Sequence, residues 1–179
     1  MKSDKKTIVI IDNYLHQNEI VKNLFENMGF KVVSFSSFSE ASDFLNVHTP
    51  ELIISDLIGH ENISGVEFYI NEVMNRNLNF ALWTGCLTLK DEGTVKDFGL
   101  FLEGLPKDYR VTFDPKKALN QGEVELIIQD YKRNSIRTFS AFSKPGDPRR
   151  ILEHFKLNAN NLVILYFGAL IEAVRLGVK

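Results

Sequence analysis

Short apolar runs alternate with segments of helical periodicity through the first half of the chain. The runs are rich in β-branched and aromatic residues, which predicts buried strands. These strands are 7–11, 31–35, 52–55 and 80–83. Between them, apolar residues recur three and four positions apart, which predicts amphipathic helices. The helices are 20–28, 41–45 and 66–74. Strands that alternate with helices through short connections predict an α/β fold built on a parallel sheet.

A polar residue ends three of these strands. Asp12 follows the first strand, Asp56 follows the third, and Thr84 ends the fourth. The carboxyl ends of parallel strands lie at one edge of the sheet, where such folds place their functional crevice. We therefore expect the three side chains to lie close together. Each acid, taken alone, could equally be the N-cap of the helix that follows.

The alternation breaks after Gly85. Glycines at several positions predict a loop over 86–104, and 109–113 resembles a strand. Four residues with helical spacing predict a further helix; they are Val124, Ile127, Ile128 and Tyr131. The regular pattern resumes with a strand over 138–143, followed by Lys144 and a helix that begins near Pro148.

The C-terminal part, 157–179, is predicted to be a helical extension. Its apolar residues over 160–176 cover more than half of a helix circumference, so the helix must be buried. It is short for a membrane span and is interrupted by Glu172 and Arg175. Two alternatives follow, docking on its own domain or pairing in a homodimer.

Composition narrows the class of protein. The 179 residues are 44% hydrophobic, enough for one domain with a core. With 21 basic and 23 acidic side chains, the chain lacks the basic footprint of a nucleic-acid-binding module. One cysteine excludes a disulfide framework and a thiolate zinc site. The apolar run before Asp12 is too short for a signal peptide, so we expect a cytoplasmic protein with no membrane segment.

The order of the motifs resembles the receiver domains of two-component response regulators. The matching pieces are IVIIDN (8–13), ELIISDL (51–57), Gly65, ALWTG (81–85) and FSKPGDPRRIL (142–152). The resemblance covers 7–85 and 138–156. It implies a doubly wound, parallel five-stranded sheet of the flavodoxin-like type. Residues 1–156 would form the receiver-like domain, with an insertion over 86–137 between the fourth and fifth strands.

The resemblance also implies a site. Asp56 would accept a phosphoryl group, and Thr84 and Lys144 would contact that group. Asp12, Asn13, Asp56 and the backbone carbonyl of Ile58 would hold Mg²⁺. Such an arrangement is chemically sound, because a hard cation and an ammonium group neutralise phosphoryl charge. Lys116 also follows a strand-like segment and is a rival for the lysine position, although the junction at Lys144 fits the family better.

Among the departures from the family pattern, two affect the chemistry and the switch. Asn13 stands where receivers usually carry a second acid, so Mg²⁺ binding is expected to be weaker. Ala141 stands where the family usually has an aromatic residue that moves with the threonine. Any conformational switch must therefore be coupled differently.

The favoured interpretation is a stand-alone response regulator that is not an enzyme beyond its own phosphoryl transfer and autodephosphorylation. Its partners would be a sensor histidine kinase or phosphotransfer protein and a downstream protein target. The alternative is a pseudo-receiver, an interaction module that is not phosphorylated. A third interpretation, an unrelated α/β phosphotransferase or hydrolase, finds no phosphate-binding loop or GxSxG motif in its favour.

Overall fold

The computed structural model describes residues 5–59, 63–87, 92–144 and 146–157. The strands are β1 Thr7–Ile11, β2 Lys31–Phe35, β3 Leu52–Ser55, β4 Phe80–Thr84, β5 Tyr109–Thr112, β6 Glu123–Asp130 and β7 Ser135–Ser143. The α-helices are α1 Leu15–Asn27, α2 Phe38–Leu45, α3 Gly65–Phe68, α4 Glu92–Glu103, α5 Pro115–Gln121 and α6 Arg149–His154. A π-helical turn, Tyr69–Val73, continues α3, and a 3₁₀ turn, Gly85–Leu87, follows β4. Within the described ranges, none of the helices is long and apolar enough to cross a bilayer.

All seven strands belong to one sheet, in the order β2–β1–β3–β4–β7–β6–β5. The first five of these pair in parallel, which confirms the predicted doubly wound parallel arrangement. The last two strands pair antiparallel, β6 with β7 and β5 with β6. The segment predicted as an insertion thus widens the sheet beyond its fifth parallel strand.

The helix predicted from Val124, Ile127, Ile128 and Tyr131 is wrong, because these residues lie in and just after β6. Every second residue of β6 is buried, which is the period of a strand. In the sequence, the isoleucine pair at 127 and 128 is compatible both with the spacing of a helix and with the alternation of a strand. Only the pairing with β7 along the full length of β6 decides for the strand.

The loop predicted over 86–104 is also wrong in its larger part, which is α4. Three residues at helical spacing, Val95, Phe98 and Leu102, are buried against the sheet. Their burial outweighs the low helix propensity of the glycines at 93 and 99. A glycine does end α5, since Gly122 has φ 64°, a left-handed conformation that favours glycine.

Helices cover both faces of the parallel part of the sheet. On one face, α2 to α5 pack against Val9, Ile53 and Leu82 in a core that extends to β6. On the other face, α1 and α6 pack against Ile8 and Phe142. This two-sided burial explains why the central strands are apolar at every position up to their carboxyl ends. The predicted C-terminal helix over 160–176 lies outside the described residues.

Candidate phosphoryl-acceptor site

The two acids that follow β1 and β3 lie side by side. The two strands are parallel neighbours, with Ile11 opposite Ser55, so their ends coincide. Asp56 donates its backbone N–H to the carbonyl oxygen of Ile11 at 2.8 Å. The Asp12 carboxylate accepts a hydrogen bond from the backbone N–H of Tyr14 at 2.8 Å. The polar residue after each buried strand is thus held at the same edge of the sheet.

Lys144 brings a positive charge to these two acids. Its Nζ lies 2.6 Å from Asp12 Oδ2 and 3.3 Å from Asp56 Oδ2. Lys144 follows β7, and its backbone N–H donates to the carbonyl oxygen of Thr84 at 2.8 Å. Lys116 lies instead in the first turn of α5, where it is exposed and its N–H donates to Asp114. The geometry therefore favours Lys144 over its rival.

The ring of Trp83 packs against the ammonium group of Lys144. Its ring centroid lies 5.0 Å from Lys144 Nζ, within the range of a cation–π interaction. The ring is buried in the core that contains α1 and α6. Sequence reasoning missed this contact, because Trp83 reads simply as part of an apolar strand. Its place beside the polar end of β4 is the only signal that the sequence offers.

The surroundings of Asp56 act on the pKa of its carboxyl group in opposite directions. Burial raises the pKa of its carboxyl group, the Lys144 charge lowers it, and the Asp12 charge raises it again, with a net upward shift. One carboxylate oxygen, Oδ1, accepts the backbone N–H of Leu57 at 2.8 Å. The other, Oδ2, is the oxygen that faces Lys144. The charged form is thus stabilised by two donors but loses hydration.

The site also contains a buried acceptor. Asn13 Oδ1 has no hydrogen-bond partner among the described residues, which is costly in a folded protein unless something else satisfies it. A narrow crevice at this point is lined by Asp12, Asn13, Asp56 and Ile58. Two carboxylates and an amide oxygen beside one crevice are a donor set that suits Mg²⁺. In the described part of the chain no three His, Cys, Asp or Glu side chains gather at one point, and the oxygen beside the two acids is the neutral amide oxygen of Asn13.

The remaining predicted residues lie around this centre. Thr84 is buried at the end of β4, where its Oγ1 accepts the backbone N–H of Cys86 at 3.2 Å and its hydroxyl hydrogen can donate elsewhere. Ile58 lines the crevice and forms an isolated bridge with Ser64, while its side chain is half exposed. Ser55, which sequence reasoning did not single out, donates its hydroxyl to the Asp56 carbonyl oxygen at 2.8 Å.

No protein-family model and no curated protein matches the sequence. Solved structures do match. The receiver domain of a Francisella response regulator is 12% identical, with a TM-score of 0.51 over 86% of this chain and 95% of that one. A receiver domain protein from Methanospirillum hungatei is 17% identical, with a TM-score of 0.51 over 86% and 92% of the two chains.

A third match comes from a different kind of protein. It is the receiver domain of a signal transduction histidine kinase from Syntrophus aciditrophicus, 19% identical, with a TM-score of 0.51 over 84% of this chain and 87% of that one. The chain has the receiver-domain fold. In this chain, four parallel strands end at polar residues. Asp12 follows β1, Asp56 follows β3, Thr84 ends β4 and Lys144 follows β7.

Replacing Asp56 by asparagine is expected to stabilise the receiver fold near neutral pH. In the folded chain the pKa of Asp56 is raised above its ordinary value of 3.8. The folded chain therefore loses stability as the pH rises from about 3.8 through the raised pKa. Asparagine removes the cost of burying a carboxylate. The gain should be largest above the raised pKa and should disappear below about pH 3.8.

Urea unfolding across this pH range, in buffer with a chelator, measures the effect. Asp43→Asn is the matched control, because Asp43 is an exposed aspartate of α2. A stability of Asp56→Asn equal to or below that of the natural sequence at neutral pH would contradict the prediction.

Proposed function

We propose that the protein is a response-regulator receiver that accepts a phosphoryl group on Asp56 and signals by protein contact. The observation that carries the proposal is the placement of Asp56 Oδ2 3.3 Å from Lys144 Nζ, beside a crevice where Asn13 Oδ1 has no hydrogen-bond partner among the described residues. Phosphoryl transfer requires a carboxylate nucleophile, a fixed cation and oxygen atoms that can bind a divalent metal ion. The likeness of fold supports the same assignment.

In the proposed step, Asp56 Oδ2 attacks the phosphorus of a phosphohistidine on a kinase or phosphotransfer protein. The new O–P bond forms as the P–N bond breaks, and the imidazole nitrogen keeps the electron pair and is protonated from solvent. Leu57 N–H holds the other carboxylate oxygen, which orients the nucleophile. Lys144 can move from Asp56 to a phosphoryl oxygen while it keeps Asp12, its closer partner. The Thr84 hydroxyl can donate to another phosphoryl oxygen.

Mg²⁺ fits the residues that are present. Asp12, Asn13, Asp56 and the Ile58 carbonyl would hold it, and the cation would neutralise negative charge on the phosphoryl oxygens. Asn13 contributes a neutral oxygen in place of a second anionic one, so we expect weaker affinity than an acid at this position would provide. Trp83, the single tryptophan, adjoins Lys144, so its intrinsic fluorescence can be used to follow a titration of the protein with Mg²⁺.

The output surface would lie on the inserted segment. The 3₁₀ turn Gly85–Leu87 directly follows Thr84 and leads towards α4, and Leu87 is buried in the shared core. On the outer side of α4, Leu100 and Phe101 are exposed apolar residues. A shift of Thr84 on phosphorylation would therefore reach a surface suited to a protein target. Ala141, buried between Leu82 and Val124 in the sheet, leaves this route without the usual aromatic residue.

The decisive experiment is incubation with Mg²⁺ and acetyl phosphate, followed by measurement of the intact mass. We expect one phosphoryl adduct in the natural sequence and in Asp43→Asn, and none in Asp56→Asn. An adduct that persists in Asp56→Asn would overturn the assignment of the acceptor. If the natural sequence forms no adduct with saturating donor, the proposal that Asp56 is phosphorylated is wrong and the pseudo-receiver is favoured. Asn13 and Ala141, the two departures from the family pattern, are consistent with that alternative.

A further inference from the structure

One face of the widened sheet carries no helix in the described structure. Alternate residues of β6 point to opposite sides, and Val124, Leu126 and Ile128 pack into the core under α4 and α5. The residues of β6 between them face the other way and are exposed. Their partners in the paired strands share that face. We call this set the open face: Arg110, Thr112, Glu125, Ile127, Gln129, Ile136 and Thr138.

The open face has an apolar centre. Ile127 is 40% exposed and Ile136 is 66% exposed, and the two lie on adjacent strands. The charged residues at its margins, Arg110 and Glu125, are of opposite sign. The parallel strands beside it are covered on both faces by helices, whereas at the open face this cover stops and leaves the two isoleucines exposed. The open face is therefore the place where the receiver-type layering is interrupted.

The described chain ends on the same side of the sheet as this face. Along α6, Ile151 packs in the same core as Phe142, and the His154 ring lies 3.1 Å from Ser140 Oγ and 2.8 Å from Glu123 Oε1. The end of the helix thus packs over Phe142 and Ser140 of β7. Phe155 lines a crevice together with Thr138, a member of the open face. The described chain ends two residues later at Leu157, which is buried in the core of α1 and α6, on the same side of the sheet as the open face.

The sequence that follows is the most apolar of the chain. Residues 161–176 contain only two charged side chains, Glu172 and Arg175, and their aliphatic and aromatic residues require cover from water. Residues 158–160 separate this segment from Leu157, and three residues reach roughly 10 Å when extended. Such a short tether gives the segment a high effective concentration at the neighbouring surface of its own chain.

We propose that residues 161–176 of the same chain dock on the open face. The insertion and the C-terminal segment, the two parts that the receiver resemblance does not account for, would then cover each other. Docking would continue the layer of α1 and α6 across β7, β6 and β5. It would also explain why an insertion that leaves one sheet face bare occurs in a chain with a strongly apolar tail. A second copy is disfavoured, because the tethered segment competes at higher effective concentration.

Hydrogen exchange of the full chain tests the proposal. The amides of 161–176 should be protected, and the double variant Ile127→Lys/Ile136→Lys should exchange roughly tenfold or more faster there. The matched control is Ile20→Lys/Val47→Lys, since these residues are 59% and 76% exposed and lie away from the open face on α1 and after α2. Its exchange over 161–176 should equal that of the natural sequence.

Light scattering over a range of protein concentrations is the second measurement, and a monomer is expected. Exchange over 7–55 reports whether the double variant remains folded. If 161–176 is unprotected in the natural sequence, or if both double variants leave its protection unchanged, the proposal is wrong. Protection that increases with protein concentration alongside dimer formation would overturn it in favour of a second copy.

Discussion

Replacing Lys144 by methionine is expected to lower the free energy of unfolding by about 3 kcal/mol near neutral pH. Lys144 Nζ contacts both Asp12 and Asp56, and the three side chains are 13% exposed or less. Methionine has a similar length but no charge, so two carboxylates would face each other in a largely dry site. Urea unfolding in metal-free buffer measures the loss.

The loss should depend on pH. Burial raises the pKa of Asp56 and the Lys144 charge lowers it, so removal of the lysine raises the pKa further. The folded variant then binds a proton more readily than its unfolded chain, and its stability recovers as the pH falls. Acid conditions should therefore bring the variant closer to the natural sequence.

Lys116→Met is the matched control, because Lys116 is the exposed lysine that competes with Lys144 in the sequence. Its stability should stay within about 0.5 kcal/mol of the natural sequence. If the two methionine variants unfold at the same urea concentration near neutral pH, Lys144 does not compensate the two acids, and the electrostatic account of the site is wrong.

Replacing Gly65 by alanine is expected to cost about 3 kcal/mol of folding stability and to displace the acceptor site. A Cβ at position 65 would lie 2.2 Å from the Asp56 carbonyl oxygen and 2.7 Å from Leu82 Cδ2. The first of these is backbone, so a side-chain rotation cannot relieve the overlap. Gly65 also donates its N–H to the Leu57 carbonyl oxygen at 2.8 Å, which ties the start of α3 to the segment after Asp56.

Two measurements check this result, the free energy of unfolding and the Mg²⁺ titration by Trp83 fluorescence. Gly85→Ala is the control, since a Cβ there would meet no atom within 4 Å beyond its own and neighbouring residues, and its change in stability should be within about 0.5 kcal/mol. Should Gly65→Ala be as stable as Gly85→Ala, the close approach between α3 and the Asp56 backbone is not a constraint on the fold.

The strand ends could be predicted from the sequence because their physical signal is local. Central parallel strands are buried on both faces, so they appear as unbroken apolar runs, and a polar residue marks the point where each run reaches the edge of the sheet. Asp12, Asp56 and Thr84 each follow this rule. Lys144 follows it less strictly, since Lys116 occupies a similar local position, and only the three-dimensional contacts separate the two.

The inserted segment could not be predicted in the same way. The strand β6 contains apolar residues that fit a helical spacing as well as an alternating one, and its true period is imposed by pairing with β7. The helix α4 contains two glycines that lower its intrinsic propensity, and burial of Phe98 and its neighbours overcomes them. Both errors arise where long-range contacts outweigh local preference.

By itself the sequence determined the five parallel strands and the acids and the threonine at their ends, because each depends on the local pattern of apolar and polar residues. The receiver-type order of these motifs came from their resemblance to the family. The tertiary structure alone decided that Lys144 contacts Asp12 and Asp56, that the Trp83 ring packs against the lysine, and that Asn13 Oδ1 has no hydrogen-bond partner in the described part of the chain. The strand over 109–113 was predicted from the sequence, but the structure alone showed β6, its antiparallel pairing with β5 and β7, and the open face. These features join residues far apart in the chain, and distance and burial between such residues are set only when the sheet assembles.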